Sequence, residues 1–329
     1  MLAAIPTFAW MNSVFKGFMR LMWVMFVVGC QPQEEPLRIV SSLWPGYEPL
    51  YLARYLGYFP ADIFKLIELP SSNITMEAFS NRSADVASLT LDETLTLLAQ
   101  GRKPRILLIM DVSNGADAVM ADASIRSLAD LKGKRIAIVN IPLGVYMLTR
   151  TLDAAGLKVS DVTVLTLPED MHEKAYREGK IDVSINFEPF KSRLAEQGMH
   201  VLFDSSKIPN EIFDVLVAQD EIYSTRREAL CNLVQQWNRT LDYIGTHSSE
   251  AHARMGKRLA MDAKAYESML AGIVLPTLQQ NRQFLGGTSP ALLAPAEKLA
   301  QIMFQARLLP IAVNPSDALA PEFQDCQQQ

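Results

Sequence analysis

Residues 39–59 read IVSSLWPGYEPLYLARYLGYF, and the fold follows from this stretch. Ile39, Val40 and Leu43 form the short apolar run of a buried strand. Trp44-Pro45-Gly46 then breaks it, because proline fixes one backbone dihedral and glycine tolerates values that other residues avoid. Leu50, Ala53, Leu56 and Gly57 follow at helical spacing. Strand, sharp loop and helix put the loop at the carboxyl end of the strand, the edge where open α/β sheets hold ligands. Trp44 and Tyr47 stand on that loop, placed to stack on a ligand; the alternative for Trp44 is to plug the core.

The rhythm then repeats. Ile63–Leu69 reads as a strand, and after Pro70-Ser71-Ser72 the side chain of Asn73 is expected to cap a helix through Phe79. Asp85–Leu89 is a further strand. Thr90 and Glu93 form the T-x-x-E capping box of a helix that ends at Gly101. Arg105–Met110 is a buried strand, and DVSNGAD (111–117) is a polar break. This is βαβαβ with short connections, hence a mostly parallel sheet. A second block follows, with strands over 135–139, 162–167, 182–187 and 201–203 and helices over 125–131, 146–155 and 171–178. Ile212–Ala218 returns as a strand, after which only helical patterns remain, led by the stripe Leu230, Leu233, Val234, Trp237, Leu241 and Ile244.

Composition sets the outer bounds. The 329 residues suit roughly two domains. A hydrophobic fraction of 49% permits a sizeable core, and a net charge of −5 without a long basic run argues against nucleic acid. Residues 1–29 carry Lys16, Arg20 and no acid, then the apolar run LMWVMFVV, too short to span a bilayer. Val27-Val28-Gly29-Cys30 resembles the bacterial lipobox, which implies cleavage before Cys30, lipid attachment to its thiol and a mature charge of −7. An ordinary signal peptide or an uncleaved anchor is the alternative, and Met11 is an alternative start. Residues 30–36 read as a tether and 310–329 as a loose tail. Cys231 and Cys326 either pair or stay free. No spacing suggests a metal site, and no Ser/His/Asp or Cys/His set suggests catalysis.

Seven motifs together resemble one family: WPGYEPLYLAR (44–54), LTLDE (89–93), SNGAD (113–117), SLADLKGKRIAI (127–138), DAAGL (153–157), GKIDVSINFEP (179–189) and IFDVLVA (212–218). In order and spacing they are similar to the solute-binding proteins of ABC importers in the nitrate/sulfonate/taurine and thiamine-pyrimidine-precursor group. The resemblance implies an α/β, two-lobed, type II periplasmic-binding fold with a helical C-terminal extension packed on the first lobe. It implies a first lobe over 37–117 and 212–309 and a second over 118–211. The ligand would lie between the lobes, touching Trp44, Tyr47, Ser72, Thr90, Asp92, Ser113, Asn114, Gly115, Asp117, Gly144, Val145, Tyr146, Glu188 and Asp214.

The implied partners are a small-molecule ligand and the permease and ATPase subunits of an importer, with the protein a lipid-anchored monomer of the cell envelope that uses no cofactor. The alternatives are a sensing subunit of a membrane signalling protein and an enzyme akin to pyrimidine-precursor synthases. The latter's cysteine-rich metal motif is missing between Cys30 and Cys231. Gly144 suits an anion at a helix start, or a plain turn. Asp214, inside an apolar strand, should have a partner. Four acids (Asp92, Asp117, Glu188, Asp214) fall at cleft-facing ends with no Arg or Lys at matching positions, since Arg102 and Lys103 lie at the far end of a helix. That favours an amine-bearing heterocycle over nitrate or an alkyl sulfonate.

Overall fold

The computed structural model describes residues 34–323. The signal segment, Cys30, most of the tether, Met11 and Cys326 lie outside the described residues. In chain order the elements are β1 (Leu37–Ser41), α1 (Glu48–Tyr55), β2 (Phe64–Glu68), α2 (Ser72–Ser80), β3 (Val86–Thr90), α3 (Leu91–Ala99) and β4 (Pro104–Ser113). The second block holds β5 (Ala118–Ala121), β6 (Arg135–Val139), α4 (Pro142–Ala155), β7 (Thr163–Leu167), α5 (His172–Arg177), β8 (Val183–Asn186), α6 (Phe190–Glu196) and β9 (His200–Asp204). The chain continues with β10 (Phe213–Gln219), α7 (Asp220–Thr225), α8 (Arg227–Thr246), α9 (Ser248–Arg258), α10 (Ala263–Leu270), β11 (Ile273–Val274), α11 (Leu278–Leu285) and α12 (Leu293–Gln305).

Two sheets result. The first has the order β11-β4-β10-β3-β1-β2 and the second β7-β6-β8-β5-β9. In the first, β1 pairs in parallel with β2 and β3, and β10 is inserted antiparallel between β3 and β4. Each sheet with its helices is one lobe of a two-lobed α/β fold. The first lobe is therefore discontinuous in sequence, completed by a strand that returns after the second.

The helical extension packs as its stripe requires. Leu230, Leu233, Val234 and Trp237 of α8 are buried in one cluster with Leu37, Ile39 and Leu50 of the first lobe. Burying each such side chain fully is worth roughly 1.5–3 kcal/mol. Residues 310–323 are not loose: Ala318, Leu319, Ala320 and Phe323 are buried, and Tyr223 donates to Glu322 at 2.6 Å. Their small and aromatic side chains cover the first lobe despite the prolines among them. Cys231 is disulfide-bonded, its partner lying outside the described residues.

Three local expectations change. Ser71, not Asn73, caps α2 by accepting from the Ile74 amide, and the Asn73 side chain instead donates to the Asn140 carbonyl on the other lobe at 2.8 Å. β4 runs on through Asp111, Val112 and Ser113 rather than stopping at Met110. The short antiparallel strand β5 begins the second lobe, where the sequence pattern gave no strand. The T-x-x-E capping box at Thr90 and Glu93 forms in full.

The lobes are joined at two crossovers, 114–117 and 205–212, which are hydrogen-bonded to each other. Ser113 and Ser205 share a hydroxyl–hydroxyl bond of 2.8 Å, and the Gly115 amide donates to Ser205 Oγ at 2.6 Å. The Ser113 amide donates to the Ile212 carbonyl at 3.1 Å. Among the described residues, no helix is long and apolar enough to cross a membrane.

Candidate functional site

A small cavity lies where the lobes meet. Ser42, Leu43, Trp44, Tyr47, Ser72, Thr90 and Asp214 line it from the first lobe, and Asp117, Ile141, Leu143 and Phe187 from the crossover and the second. Each first-lobe residue but one stands at the carboxyl end of a strand, or on the loop or helix start that follows it; Asp214 reaches the same place from the amino end of the antiparallel β10. The cavity measures about 30 Å³, room for little more than one water. Trp44 meets Phe187 edge to face across the boundary, with ring centroids 6.0 Å apart.

Beneath the aromatics lies a pair of carboxyls. Asp111 on β4 and Asp214 on β10 are direct cross-strand partners. Trp44 Nε1 donates to Asp111 Oδ2 at 2.9 Å, and the Tyr47 hydroxyl donates to Asp214 Oδ1. The two carboxyls face each other across the strand pair, buried from solvent. Asp111 Oδ1 receives no N–H or O–H donor. Gly46 makes this approach possible, since a Cβ there would fall 2.0 Å from Asp111 Oδ2.

Burial dominates the electrostatics. It pushes Asp111 up to about 7, and it raises Asp214 well above the usual carboxylate range, with the neighbouring Asp111 charge adding to the effect. Asp92 rises to about 7, chiefly through burial and then through Glu93, and its Oδ2 has no partner. Asp117 rises to about 6 for the same first reason, held down by Ser113 and Lys191. Glu93 is raised by burial against the Ser72 hydroxyl and Thr90 amide that it accepts from. Of these five buried acids Asp117 and Asp214 line the cavity, and its lining residues include neither Arg nor Lys. Among the described residues, no group of three or more His, Cys, Asp or Glu side chains could hold a metal ion.

Against this geometry, the NMT1/THI5-like family matches residues 44–251, well over half of the chain. The chain belongs to the NMT1/THI5-like family. A Brucella abortus (strain 2308) protein named as a binding protein is 27% identical over 178 residues, 53% of this chain and 55% of that one. An Escherichia coli K12 protein named for binding aliphatic sulfonates is 24% identical over 194 residues, 56% of this chain and 59% of its own length. The matched stretch thus spans little more than half of these curated relatives. Among solved structures, the periplasmic aliphatic sulphonate binding protein SsuA of Escherichia coli superposes with a TM-score of 0.72 at 19% identity, covering 90% of this chain and all 100% of that one. The desulfurization enzyme DSZB superposes at 0.67 with 17% identity, covering 90% and 99%. These likenesses show the fold, the two-lobed one of periplasmic binding proteins.

Of the residues expected at the site of this NMT1/THI5-like chain, Trp44, Tyr47, Ser72, Thr90, Asp117 and Asp214 are brought together around the cavity. The others are not among its lining residues. Asp92 is buried in the first turn of α3. Ser113 and Gly115 are engaged in the crossover bonds, and Asn114 donates its amide to the Gly272 carbonyl at 2.8 Å. Gly144 is the third residue of α4, packed where a Cβ would lie 2.4 Å from the Val139 carbonyl, so close packing explains it. Val145 is half-buried on the same helix. Tyr146 turns to Glu211, donating at 2.6 Å. Glu188 pairs with Lys191 at 3.4 Å.

Sequence reasoning passed over Ser42, Leu43, Ile141, Leu143, Phe187 and, above all, Asp111. The signal for Asp111 was its register: it closes the apolar run RILLIM and faces Asp214 on the strand that returns beside it. A cation also stands nearer than expected, because Lys191 donates to the Gly115 carbonyl at 2.9 Å.

Proposed function

We propose that this protein is an extracytoplasmic solute-binding lipoprotein, anchored through Cys30 in the cell envelope, that captures a small polar ligand between its lobes for the permease and ATPase subunits of an ABC importer. The family match, the fold and the relatives named as binding proteins support a binder rather than an enzyme. The relatives named for sulfonates suggest an anionic ligand, whereas the chemistry of this cleft argues for a cation. A sulfonate placed here would meet the acids with no Arg or Lys from the lining. A ligand with an amino group or an aromatic amine ring would find hydrogen-bond acceptors below it and the rings of Trp44 and Tyr47 beside it.

One observation carries this reading: the buried Asp111–Asp214 pair beneath Trp44 and Tyr47. In this view Trp44, Tyr47, Ser72, Thr90, Asp117 and Asp214 are the contacts, with Phe187 closing the cleft from the second lobe. A cavity of about 30 Å³ is too small for such a ligand, so capture requires the lobes to part about the crossovers and close again.

The test is a thermal-shift screen of the protein against amines, aminopyrimidines, sulfonates and nitrate, followed by calorimetry on the hits. An amine-bearing compound that raises Tm and binds one to one is expected. Tight binding of a sulfonate or nitrate with no response to amines would overturn the ligand class while leaving the binding role intact.

A further inference from the structure

A second, much larger cavity lies on the first lobe, at the opposite end of its strands from the cleft. It measures about 460 Å³ and is lined by Arg38, Arg82, Gly101, Arg102, Lys103 and Glu221 among others. These residues sit at the start of β1, on the turns after α2 and α3, and at the start of α7. We propose that this cavity binds a phosphate-bearing anion.

The charge balance points this way. Asp85 and Asp220 also line the cavity, but each is already neutralised. Asp85 accepts both Nε of Arg38, at 3.0 Å, and its Nη2, at 2.6 Å. Asp220 accepts Arg105 Nε at 2.7 Å. Arg82, Arg102 and Lys103 then face Glu221 alone, a local excess of two positive charges on a protein whose net charge is −5. Arg102 uses its Nε on Ser80 Oγ at 3.1 Å, and Lys103 is exposed.

The backbone adds an independent argument. Arg82 has φ of +65°, a left-handed conformation that costs a non-glycine residue about 1–2 kcal/mol. Glycine is the usual residue just past a helix end. Arg82 pairs with Glu221 at 3.9 Å, with the two side chains 72% and 75% exposed, and such a pair contributes little. The guanidinium therefore does not offset its own backbone cost. A task for it beyond folding is the reading we draw, and planar guanidinium groups suit phosphate oxygens.

The source of the phosphate is suggested by the chain itself. β1 begins at Leu37, so the polypeptide enters this lobe beside the cavity, and Cys30 precedes Arg38 by only eight positions. If the anchor assigned under the proposed function holds, a phospholipid headgroup is the nearest phosphate. The site itself does not depend on that reading or on the cleft ligand.

The experiment is calorimetry on the full chain in nonionic detergent. The probes are a short-chain phosphatidylglycerol, a short-chain phosphatidylcholine, glycerol phosphate and inorganic phosphate. The variants are Arg82→Gly and a triple Arg82→Gln, Arg102→Gln, Lys103→Gln. Arg82→Gly keeps the backbone conformation at no steric cost, so its Tm is expected to hold or rise while binding falls at least tenfold. Phosphatidylglycerol binding one to one, weaker in both variants and at higher salt, supports a headgroup site. Glycerol phosphate or phosphate binding with the same variant losses, and no binding of the lipid, supports a free phosphoester as the source. No binding of any probe at millimolar concentration overturns the proposal. So does binding that both variants leave unchanged, or equal affinity for phosphatidylcholine and phosphatidylglycerol.

Discussion

Asp111 and Asp214 stand directly opposite each other on neighbouring antiparallel strands, two acids where like charges destabilise a sheet. Each is tethered by an aromatic from the loop and helix start after β1, Asp111 by Trp44 and Asp214 by Tyr47. If this arrangement is for an amine, Asp214→Asn should weaken that ligand by about 1.5–3 kcal/mol, the worth of a hydrogen bond to a charged group. Calorimetry on the screening hit reads this as a loss of roughly ten- to hundredfold. Unchanged affinity would remove Asp214 from the site.

The buried acids also give a pH dependence with a definite sign. Asp92 and Asp111 at about 7 and Asp117 at about 6 lie above their unfolded value. The folded state therefore holds more protons than the unfolded one between roughly pH 4 and 7. Their contribution is fully present below the unfolded value near 4 and is lost as pH rises through 6–7. The ligand-free protein should melt roughly 5 °C lower at pH 8 than at pH 5, measured by calorimetry. A higher Tm at pH 8 would show that these carboxyls are solvated in solution.

Gly46 offers a test of close approach. An added Cβ would lie 2.0 Å from Asp111 Oδ2 and 2.6 Å from Trp44 Nε1. Gly46→Ala should therefore displace Asp111, lower stability by about 1–3 kcal/mol, and abolish ligand binding while circular dichroism stays native. Wild-type affinity in this variant would mean that the Trp44–Asp111 bond is dispensable.

Glu211, on the second crossover, ties the lobes at their back. It accepts from Tyr146 at 2.6 Å and from Arg150 Nε at 2.8 Å on α4, and it pairs with Lys298 on α12. Glu211→Gln keeps the shape but removes the charge that both cations share. Solution scattering of the ligand-free variant should give a larger radius of gyration than wild type, because the closed arrangement loses population. An equal radius would assign the cluster to local packing alone.

Much of this was readable from patterns whose cause is local. The capping box at Thr90 and Glu93, the apolar stripe of α8 and the strand–loop–helix at Trp44 depend on neighbours within a turn or two. What escaped depends on distant partners. Asp111 reads as the first residue of a polar break until β10 is laid beside it. Phe187 gains its place only through Trp44 on the other lobe. Asn73 looked like a cap because its side chain can serve as one, but Ser71 stood two residues earlier and the loop at Asn140 offered Asn73 another acceptor. Strand β5, four residues long, gives too little alternation to be seen alone.

The position of β10 has a consequence for biogenesis. It fills the slot between β3 and β4, yet residues 114–212 must be made before it exists. Until then the nascent first lobe has two apolar strands with open edges, the arrangement that invites pairing with other chains. Folding must wait on a contact far away in sequence, which makes it slow and exposes it to aggregation on the way. A truncation ending near residue 212 would accordingly yield no half-molecule, and the nascent chain would depend on holding factors until its last third has emerged.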